Sequence, residues 1–207
     1  MSVDASTIEA IADEVARRGW VRAPGFLEPR EWRALGDQGR ARWEEGDFRH
    51  AGVGRGADFR VRPEIRNDRV LWLDPAEGLE PERRYFERIE ALRRALNERL
   101  YLGLFRFEAH YAAFPAGARY HRHLDRFRGA GHRIVTCLLY LNEAWRDTDG
   151  GALRLYTAAA DEVAERFEDV LPIGGTLVAF LADRFEHEVL PARRLRMSLT
   201  GWLCRRD

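Results

Sequence analysis

The sequence predicts a mainly β fold with helical support, in which helices from the first half pack on one sheet of an antiparallel sandwich or barrel. Apolar residues in the first half recur at helical spacing, whereas the second half carries short β-branched and aromatic runs separated by turn material. Short strands without intervening helices favour an antiparallel architecture, of which the jelly roll is one member. We expect one domain over residues 1–207, with mostly helical support and an active-site loop in 1–103 and the β core with a metal site in 104–207.

Three helices are predicted in the first half. The first ends at Gly19, a residue type favoured just after helix C-termini. Pro29 and Pro81 can open the second and third helices, and Gly103 can end the third. The apolar positions of the three helices are Ile8, Ile11, Ala12 and Val15; Trp32, Leu35 and Trp43; and Phe86, Ile89, Leu92, Leu96 and Leu100.

A segment rich in glycine and arginine, HAGVGRGADFRVRPE, separates the second and third helices. It superficially resembles a phosphate-binding turn, but it lacks the preceding strand and the following helix that a dinucleotide site requires. We interpret it as a flexible loop, and loops of this kind often cover active sites.

Five strands are predicted in the second half. Each is a short run of β-branched and aromatic residues, and the segments FPAGAR, RFRGAG, TDGG, PIGG and PARR supply turns between them. The strands run from Phe107 to Phe114, Arg133 to Leu141, Ala152 to Tyr156, Thr176 to Leu181 and Arg196 to Leu203.

The composition excludes several classes of function. Thirty-four basic residues balance 34 acidic ones, and this zero formal charge argues against a nucleic-acid partner. Every basic residue is Arg, so lysine Schiff-base chemistry and the lysine-dependent phosphate loop are excluded. Any anionic ligand must therefore be bound by Arg, by hydroxyl groups or by backbone amides.

Cysteine usage and the first residues of the sequence bear on the cellular compartment. Cys137 and Cys204 lie in different settings, which does not suggest a disulfide framework and favours a reducing compartment. The first residues lack a secretory signal, and no apolar stretch approaches the length of a membrane span. We expect a cytoplasmic protein without a membrane partner.

Three residues form a candidate metal site. His123 and Asp125 are two positions apart, so on a strand an imidazole and a carboxylate would project from the same face. His187 follows the apolar run TLVAFLA. Two neutral imidazoles and one carboxylate on one side of an octahedron leave three positions open, which is typical of non-haem iron(II) oxygenases.

Arg196 is a candidate anion-binding residue on the last predicted strand. Period-two alternation places Arg196, Ser198, Thr200 and Trp202 on one face of this strand. A guanidinium group on the inner face of a barrel needs an anionic partner, because burying the charge unpaired is costly. A dicarboxylate co-substrate would supply that partner, with hydroxyl groups of Thr200 or Tyr140 assisting.

Four segments of the chain resemble the prolyl-hydroxylase branch of the 2-oxoglutarate- and Fe(II)-dependent oxygenases: YHRHLD, RIVTCLLYLNEAW, DGGALRLY and DRFEHEVLPARRLRMSLTGW. The similarity is closest to the intracellular oxygen-sensing enzymes and their bacterial relatives, and it extends upstream through VLWLDPAEGLEPERRYFERIEALRRALNERL. This resemblance implies a double-stranded β-helix, which is a jelly-roll barrel with helices packed on one sheet.

The resemblance also implies roles for individual residues. His123, Asp125 and His187 match the Fe(II) ligands, and Arg196 matches the arginine that binds the distal carboxylate of 2-oxoglutarate. One position departs from the pattern, because Phe114 stands where relatives often carry a tyrosine that faces the co-substrate. Tyr111 and Tyr120 are candidates to compensate for that hydroxyl. The other residues matched to the 2-oxoglutarate site are Tyr140, Thr200 and Trp202.

The implied reaction is hydroxylation of a substrate by O2, with 2-oxoglutarate converted to succinate and CO2 and with ascorbate as a further candidate cofactor. The resemblance points to a prolyl residue of a protein, and elongation factor Tu is a candidate because bacterial relatives are associated with it. Arg133 is a candidate substrate contact. Two alternatives stay open: a hydroxylase of a free amino acid or other small molecule, and a barrel that binds a metal or ligand without turnover.

The remaining histidines and Cys137 are interpreted without a role in the chemistry. We expect His121 to lie at the rim or in solvent, His110 to be structural and His132 to be solvated. Cys137 lies in an apolar run and is interpreted as core filling.

Overall fold

The computed structural model describes residues 5–52, 60–126, 131–157 and 165–206. Within these residues the helices are α1 (Ala5–Arg18), α2 (Pro29–Glu44) and α3 (Glu80–Leu100). The strands are β1 (Trp20–Ala23), β2 (Arg49–His50), β3 (Arg69–Trp72), β4 (Leu104–Phe114), β5 (Tyr120–His123), β6 (Arg133–Tyr140), β7 (Leu153–Tyr156), β8 (Phe167–Val170), β9 (Leu177–Leu181), β10 (His187–Val189) and β11 (Arg196–Arg205).

The strands of the described residues form two antiparallel sheets. The major sheet has the order β1-β9-β6-β11-β4-β3-β2, and the minor sheet has the order β5-β10-β7-β8. The long strand β11 lies between β6 and β4, with Ser198 opposite Tyr140 on one side and Ala112 on the other. This register places even-numbered residues of all three strands on the same face of the major sheet.

The helices cover the other face of the major sheet. Met197 and Leu199 of β11 and Tyr111 of β4 are buried there, together with the apolar stripes of the helices. Gly39 allows the close approach of α2, because a Cβ atom at this position would lie 2.8 Å from Met197 Sδ. None of the helices within the described residues is long and apolar enough to cross a lipid bilayer.

The inner face of the major sheet packs against the minor sheet. A second apolar cluster lies there, with Leu138, Tyr140, Phe180, Leu153 and Val189 among its members. Residues of β5 and β10 therefore face residues of β6, β9 and β11 across a narrow space. This arrangement is the antiparallel sandwich that the sequence predicts.

The ends of the predicted helices agree with the structure at three of four positions, since Pro81 lies in the first turn of α3, one residue after its start at Glu80. Gly19 has φ +82° and its amide donates to the Val15 carbonyl at 2.8 Å, so it ends α1 as expected. Pro29 is the first residue of α2. The prediction that Gly103 ends α3 is wrong, because the helix stops at Leu100 and Tyr101 adopts the left-handed conformation at φ 52°.

The first half of the chain contributes more than helices. The strands β1, β2 and β3 all belong to the major sheet, so helical support and β core are not divided at residue 103 as cleanly as the sequence predicts. The core of the glycine-rich segment predicted as an active-site loop, residues 53–59, lies outside the described residues.

Candidate active site

The three predicted metal ligands lie together between the two sheets. His123 and His187 are register partners of the paired strands β5 and β10, and their ring centroids are 4.2 Å apart. Asp125 Oδ1 lies 3.7 Å from His123 Nε2, and Asp125 Oδ2 lies 3.6 Å from His187 Nε2. One donor atom from each residue falls within 4.8 Å of the others. This spacing allows all three to contact one divalent ion.

The backbone path to Asp125 differs from the prediction. We expected His123 and Asp125 to share one face of a strand, but β5 ends at His123 and Asp125 lies in the following turn. The amide of Arg126 donates to the Ala182 carbonyl at 3.1 Å, which ties this turn to the end of β9. The Thr136 hydroxyl donates to Asp125 Oδ2 at 2.7 Å and fixes the carboxylate. The strand argument was therefore wrong, although the two side chains do converge.

Backbone carbonyls determine which nitrogen each imidazole presents. His123 Nδ1 lies 2.7 Å from the His121 carbonyl, and His187 Nδ1 lies 3.2 Å from the Phe185 carbonyl. A carbonyl oxygen only accepts hydrogen bonds, so each Nδ1 carries a proton and Nε2 is the nitrogen that faces Asp125 and is available to a metal. Metal-binding histidines are held in this way, with the second ring nitrogen donating to a backbone carbonyl or carboxylate.

The buried charges of the cluster favour metal binding. Burial opposes ionisation of Asp125, but His187, His123 and the Thr136 hydroxyl outweigh it and hold the pKa of this carboxyl well below its usual range. Burial, with a smaller contribution from His123, lowers the pKa of His187 to about 4. The cluster therefore offers an ionised carboxylate and a neutral His187 imidazole, which are the protonation states that metal ligation requires.

Arg196 is completely buried, and most of its hydrogen-bonding capacity is unused. Its Nε donates to the Gly151 carbonyl at 2.9 Å, whereas Nη1 and Nη2 have no hydrogen-bond partner among the described residues. Burial lowers the pKa of the guanidinium from its ordinary value. An unpaired buried charge is costly, so these two nitrogens fit an anionic ligand that enters between the sheets.

Polar groups of Tyr140 and Trp202 on the same sheet face are also unsatisfied. The Tyr140 hydroxyl and Trp202 Nε1 are buried without a hydrogen-bond partner in the described part of the chain. Burial raises the pKa of Tyr140 to about 12, so its hydroxyl keeps its proton and can donate. Thr200 is partly buried and its Oγ1 lies 3.3 Å from Ser198 Oγ. A carboxylate bound beside Arg196 could therefore accept further hydrogen bonds from side chains on this face of the sheet.

Phe114 lies opposite Arg196 in the β4–β11 pairing, and its ring centroid is 5.0 Å from the guanidinium carbon. No hydroxyl reaches the guanidinium from this position. Tyr111 cannot compensate, because its ring packs on the helix side of the sheet. Tyr120 instead stacks on His123, with centroids 3.5 Å apart and an interplanar angle of 15°.

Several residues of the site were missed by sequence reasoning. Thr136 and Tyr140 lie four positions apart on β6, so their side chains project from the same face of the strand. The single polar residue in the apolar run TCLLYL could therefore have marked Thr136 as a site residue. Gly151 has φ +71°, and a Cβ atom there would lie 3.3 Å from Arg196 Cδ, which explains the glycine pair before β7. Arg66 lies over the Tyr120 ring at 4.2 Å and pairs with buried Asp68 at 2.6 Å. No local pattern marks this last contact.

Arg133, the candidate substrate contact, is engaged with other side chains. Its Nε donates to Glu108 Oε1 at 2.6 Å, and its guanidinium carbon lies 3.5 Å from the Trp202 ring centroid. Its side chain is mostly buried, with 19% exposed. Arg133 therefore lies beside Trp202, one of the residues matched to the 2-oxoglutarate site, and its guanidinium contacts Glu108 and Trp202.

An antiparallel barrel that encloses a His-Asp-His cluster and an unsatisfied arginine is the arrangement of a non-haem iron(II) oxygenase. Residues 109–204 match the model of the 2OG-Fe(II) oxygenase superfamily. The chain is 32% identical over 202 residues to human Egl nine homolog 1, a match that covers 94% of this chain and 46% of that protein. It is therefore about half the length of this curated relative.

Solved structures of prolyl hydroxylases share the fold. A Pseudomonas putida prolyl-4-hydroxylase is 42% identical, with a TM-score of 0.83 and coverage of 97% of this chain and 100% of that chain. A Trichoplax adhaerens prolyl hydroxylase, solved with a hypoxia inducible factor peptide fragment, is 26% identical with a TM-score of 0.85, covering 97% and 90%. The chain belongs to the 2OG-Fe(II) oxygenase superfamily, in its prolyl hydroxylase branch. The predicted double-stranded β-helix is confirmed, and the cofactors of this family are Fe(II), 2-oxoglutarate and O2.

Proposed function

We propose that this protein is an Fe(II)- and 2-oxoglutarate-dependent dioxygenase that hydroxylates a prolyl residue of a protein substrate. His123, Asp125 and His187 would hold Fe(II) through two Nε2 atoms and one carboxylate oxygen. The observation that carries the co-substrate assignment is the buried Arg196 guanidinium with two unsatisfied nitrogens. A His-Asp-His cluster alone also suits oxygenases that use no 2-oxoglutarate, so this anion site is what distinguishes them.

Arg196 and Tyr140 are proposed to bind the distal carboxylate of 2-oxoglutarate. The planar guanidinium can donate two parallel hydrogen bonds to a carboxylate, a strong and directional pairing. The protonated Tyr140 hydroxyl would add a third donor. Thr200 and Trp202 are proposed to line the same wall, because both point from β11 into the space between the sheets.

The protein side chains orient the reactants and keep the metal ligands in place. Fe(II), 2-oxoglutarate and O2 would supply the oxidation, which leaves a hydroxyl group on the substrate and releases succinate and CO2. Thr136 holds the Asp125 carboxylate, and the carbonyls of His121 and Phe185 hold the two imidazoles. The buried apolar residues around this site exclude bulk water, which protects a reactive oxidant from side reactions.

A peptide substrate is supported by the relatives and by the surface beside Trp202. The Pseudomonas putida relative is a prolyl-4-hydroxylase, and the Trichoplax relative was solved with a peptide. Trp72 is 53% exposed and lies against Trp202 and His110, at centroid distances of 6.2 and 4.9 Å. Trp202 is the register partner of Thr136, which contacts Asp125. An exposed aromatic surface at this position suits the apolar ring of a peptidyl proline.

The experiment is a 2-oxoglutarate turnover assay with matched substrates. Succinate release is measured with proline-containing peptides, first from elongation factor Tu, and with the same peptides carrying alanine in place of proline. We expect a proline peptide to stimulate succinate release and to gain one oxygen atom on the proline by mass spectrometry. The alanine peptides should do neither.

Two controls separate the alternatives. Stimulation by free proline but by no peptide would assign a small-molecule hydroxylase, and no succinate under any condition would assign a binding barrel.

Trp72→Ala should raise KM for the peptide at unchanged KM for 2-oxoglutarate, because Trp72 lies outside the Arg196 site. Equal effects on both KM values would contradict the proposed peptide surface.

A further inference from the structure

A second group of metal-type ligands lies outside the site described above. Glu108 of β4, His132 just before β6 and Cys204 of β11 each offer one ligand atom within 4.8 Å of the others. Glu108 Oε2 lies 3.8 Å from His132 Nε2. In a tetrahedral site with bonds of about 2.0–2.3 Å, ligand atoms are roughly 3.3–3.8 Å apart. The observed pair therefore already stands at a separation that one ion can bridge.

The fold brings these three side chains together from adjacent strands, with Glu108 inside β4, His132 just before β6 and Cys204 near the end of β11. Glu108 is the register partner of Trp202, and Cys204 follows two residues later on the same face of β11. The β6–β11 pairing is irregular between Leu203 and Cys204, and the Arg205 amide donates to the His132 carbonyl at 3.0 Å. This irregularity brings the His132 side chain beside Cys204.

An ion could reach this cluster from solvent. Cys204 is completely buried, but the side chains of Glu108 and His132 are 22% and 19% exposed. Arg133 donates to Glu108 Oε1 at 2.6 Å and leaves Oε2 directed toward His132. Outer hydrogen bonds of this type orient a carboxylate that binds a metal. The contact of Arg106 with Oε2 is longer, at 3.4 Å, and involves an exposed side chain.

We propose that Glu108, His132 and Cys204 form a second metal site for a thiophilic divalent ion of the zinc class. A thiolate, an imidazole and a carboxylate are ordinary Zn²⁺ ligands, and three of them leave a fourth position for water. The His123, Asp125 and His187 cluster has no sulfur, so the two sites differ in ligand chemistry. Binding converts the Cys204 thiol to a metal thiolate and releases one proton to solvent, so affinity rises with pH.

The test is a titration of the reduced, anaerobic protein with Co²⁺, followed by near-ultraviolet absorption. Only a cobalt–thiolate bond gives an intense charge-transfer band in this region, so the nitrogen and oxygen ligands of the first site do not produce it. We expect a band that Zn²⁺ removes by displacement. It should saturate at one Co²⁺ per chain in His187→Ala, and at no more than two per chain in the unaltered protein, because the first site also takes up the ion. Absence of the band in the unaltered protein at excess Co²⁺ would overturn the proposal.

The two cysteines provide a matched pair of variants. Cys137 is buried in the helix-side core, so Cys137→Ser should keep the band, whereas Cys204→Ser should lose it with an unchanged circular dichroism spectrum. If Cys204→Ser does not fold, His132→Asn provides the test of the site instead, because a substitution at the partly exposed His132 should leave the fold intact. We expect its Co²⁺ affinity to fall at least tenfold. A band retained by Cys204→Ser, or unchanged affinity in His132→Asn, would contradict the site.

Discussion

The two faces of β11 are both largely buried but differ in whether their polar groups are satisfied. Met197 and Leu199 pack against the helices at 1% and 0% exposure. Arg196 and Ser198, which alternate with them, are both 0% exposed on the inner face. Across the described residues, the helix-side face of this strand needs no ligand, whereas Arg196 keeps two nitrogens without a partner.

A comparison of two arginines leads to the same conclusion. Arg66 forms two hydrogen bonds with buried Asp68, at 2.8 and 2.6 Å, so its charge is compensated within the protein. Arg196 donates a hydrogen bond only to the Gly151 carbonyl among the described residues, and its guanidinium otherwise lies near the Phe114 and Tyr140 rings, with no carboxylate paired to it. Burial alone therefore does not mark a binding residue, and an uncompensated buried charge is the better indicator. Changes on the helix-side face should cost stability, and changes on the inner face should cost function.

The largest effect is expected at the metal cluster. Asp125→Ala removes the anionic ligand, so succinate release should fall at least a thousandfold, equivalent to about 4 kcal/mol of transition-state stabilisation. Bound iron should be measured separately. Asp169→Ala is the matched control, because Asp169 pairs with Arg154 on an outer strand of the minor sheet and should leave turnover unchanged. Substantial turnover by Asp125→Ala would show that another group supplies the anionic ligand.

The helix-side face is tested by Leu199→Ala. This change leaves a cavity in a closely packed core and should lower the free energy of unfolding by about 2–5 kcal/mol. The KM for 2-oxoglutarate should stay unchanged, because Leu199 points away from Arg196. Urea denaturation measures the first quantity and succinate release the second. Leu79→Ala, at a position 58% exposed, should change stability by no more than about 0.5 kcal/mol.

The inner face is tested by Arg196→Lys, which keeps the charge but loses the planar pair of donors. We expect the apparent affinity for 2-oxoglutarate to fall at least tenfold, or about 1.4 kcal/mol, with iron content unchanged. Arg205→Lys is the control on the same strand, since Arg205 is exposed. If the 2-oxoglutarate titration of Arg196→Lys matches that of the unaltered protein, the dicarboxylate lies elsewhere.

The smallest effect is expected for Tyr140→Phe. Loss of the Tyr140 hydroxyl donor should weaken 2-oxoglutarate binding by less than Arg196→Lys does, because both guanidinium donors to the carboxylate remain. The shift in melting temperature on adding 2-oxoglutarate should shrink accordingly, which thermal unfolding measures. A loss greater than that of Arg196→Lys would mean that Tyr140, and not Arg196, dominates the anion site.

Sequence patterns predicted long elements better than short ones. The strands β4, β6 and β11 and the three helices were predicted because each repeats its apolar pattern over several residues. The short strands β7 and β9 were predicted because turn segments precede their apolar runs. The short strands β1 (Trp20–Ala23) and β3 (Arg69–Trp72) were missed, although both join the major sheet. Their pairing depends on β9 and β4, which are remote in sequence.

The sequence by itself determined which residues share a face of β11, since alternation of side chains is a local property of an extended strand. It also supplied the residue types of the metal cluster and the arginine. Only the tertiary structure decided that Asp125 reaches His187 from a turn, because the Arg126 amide and Thr136 hold it there. Likewise, the unsatisfied guanidinium of Arg196 depends on which groups the packed sheets bring near it. Charge compensation involves residues distant in the chain, and no local pattern encodes it.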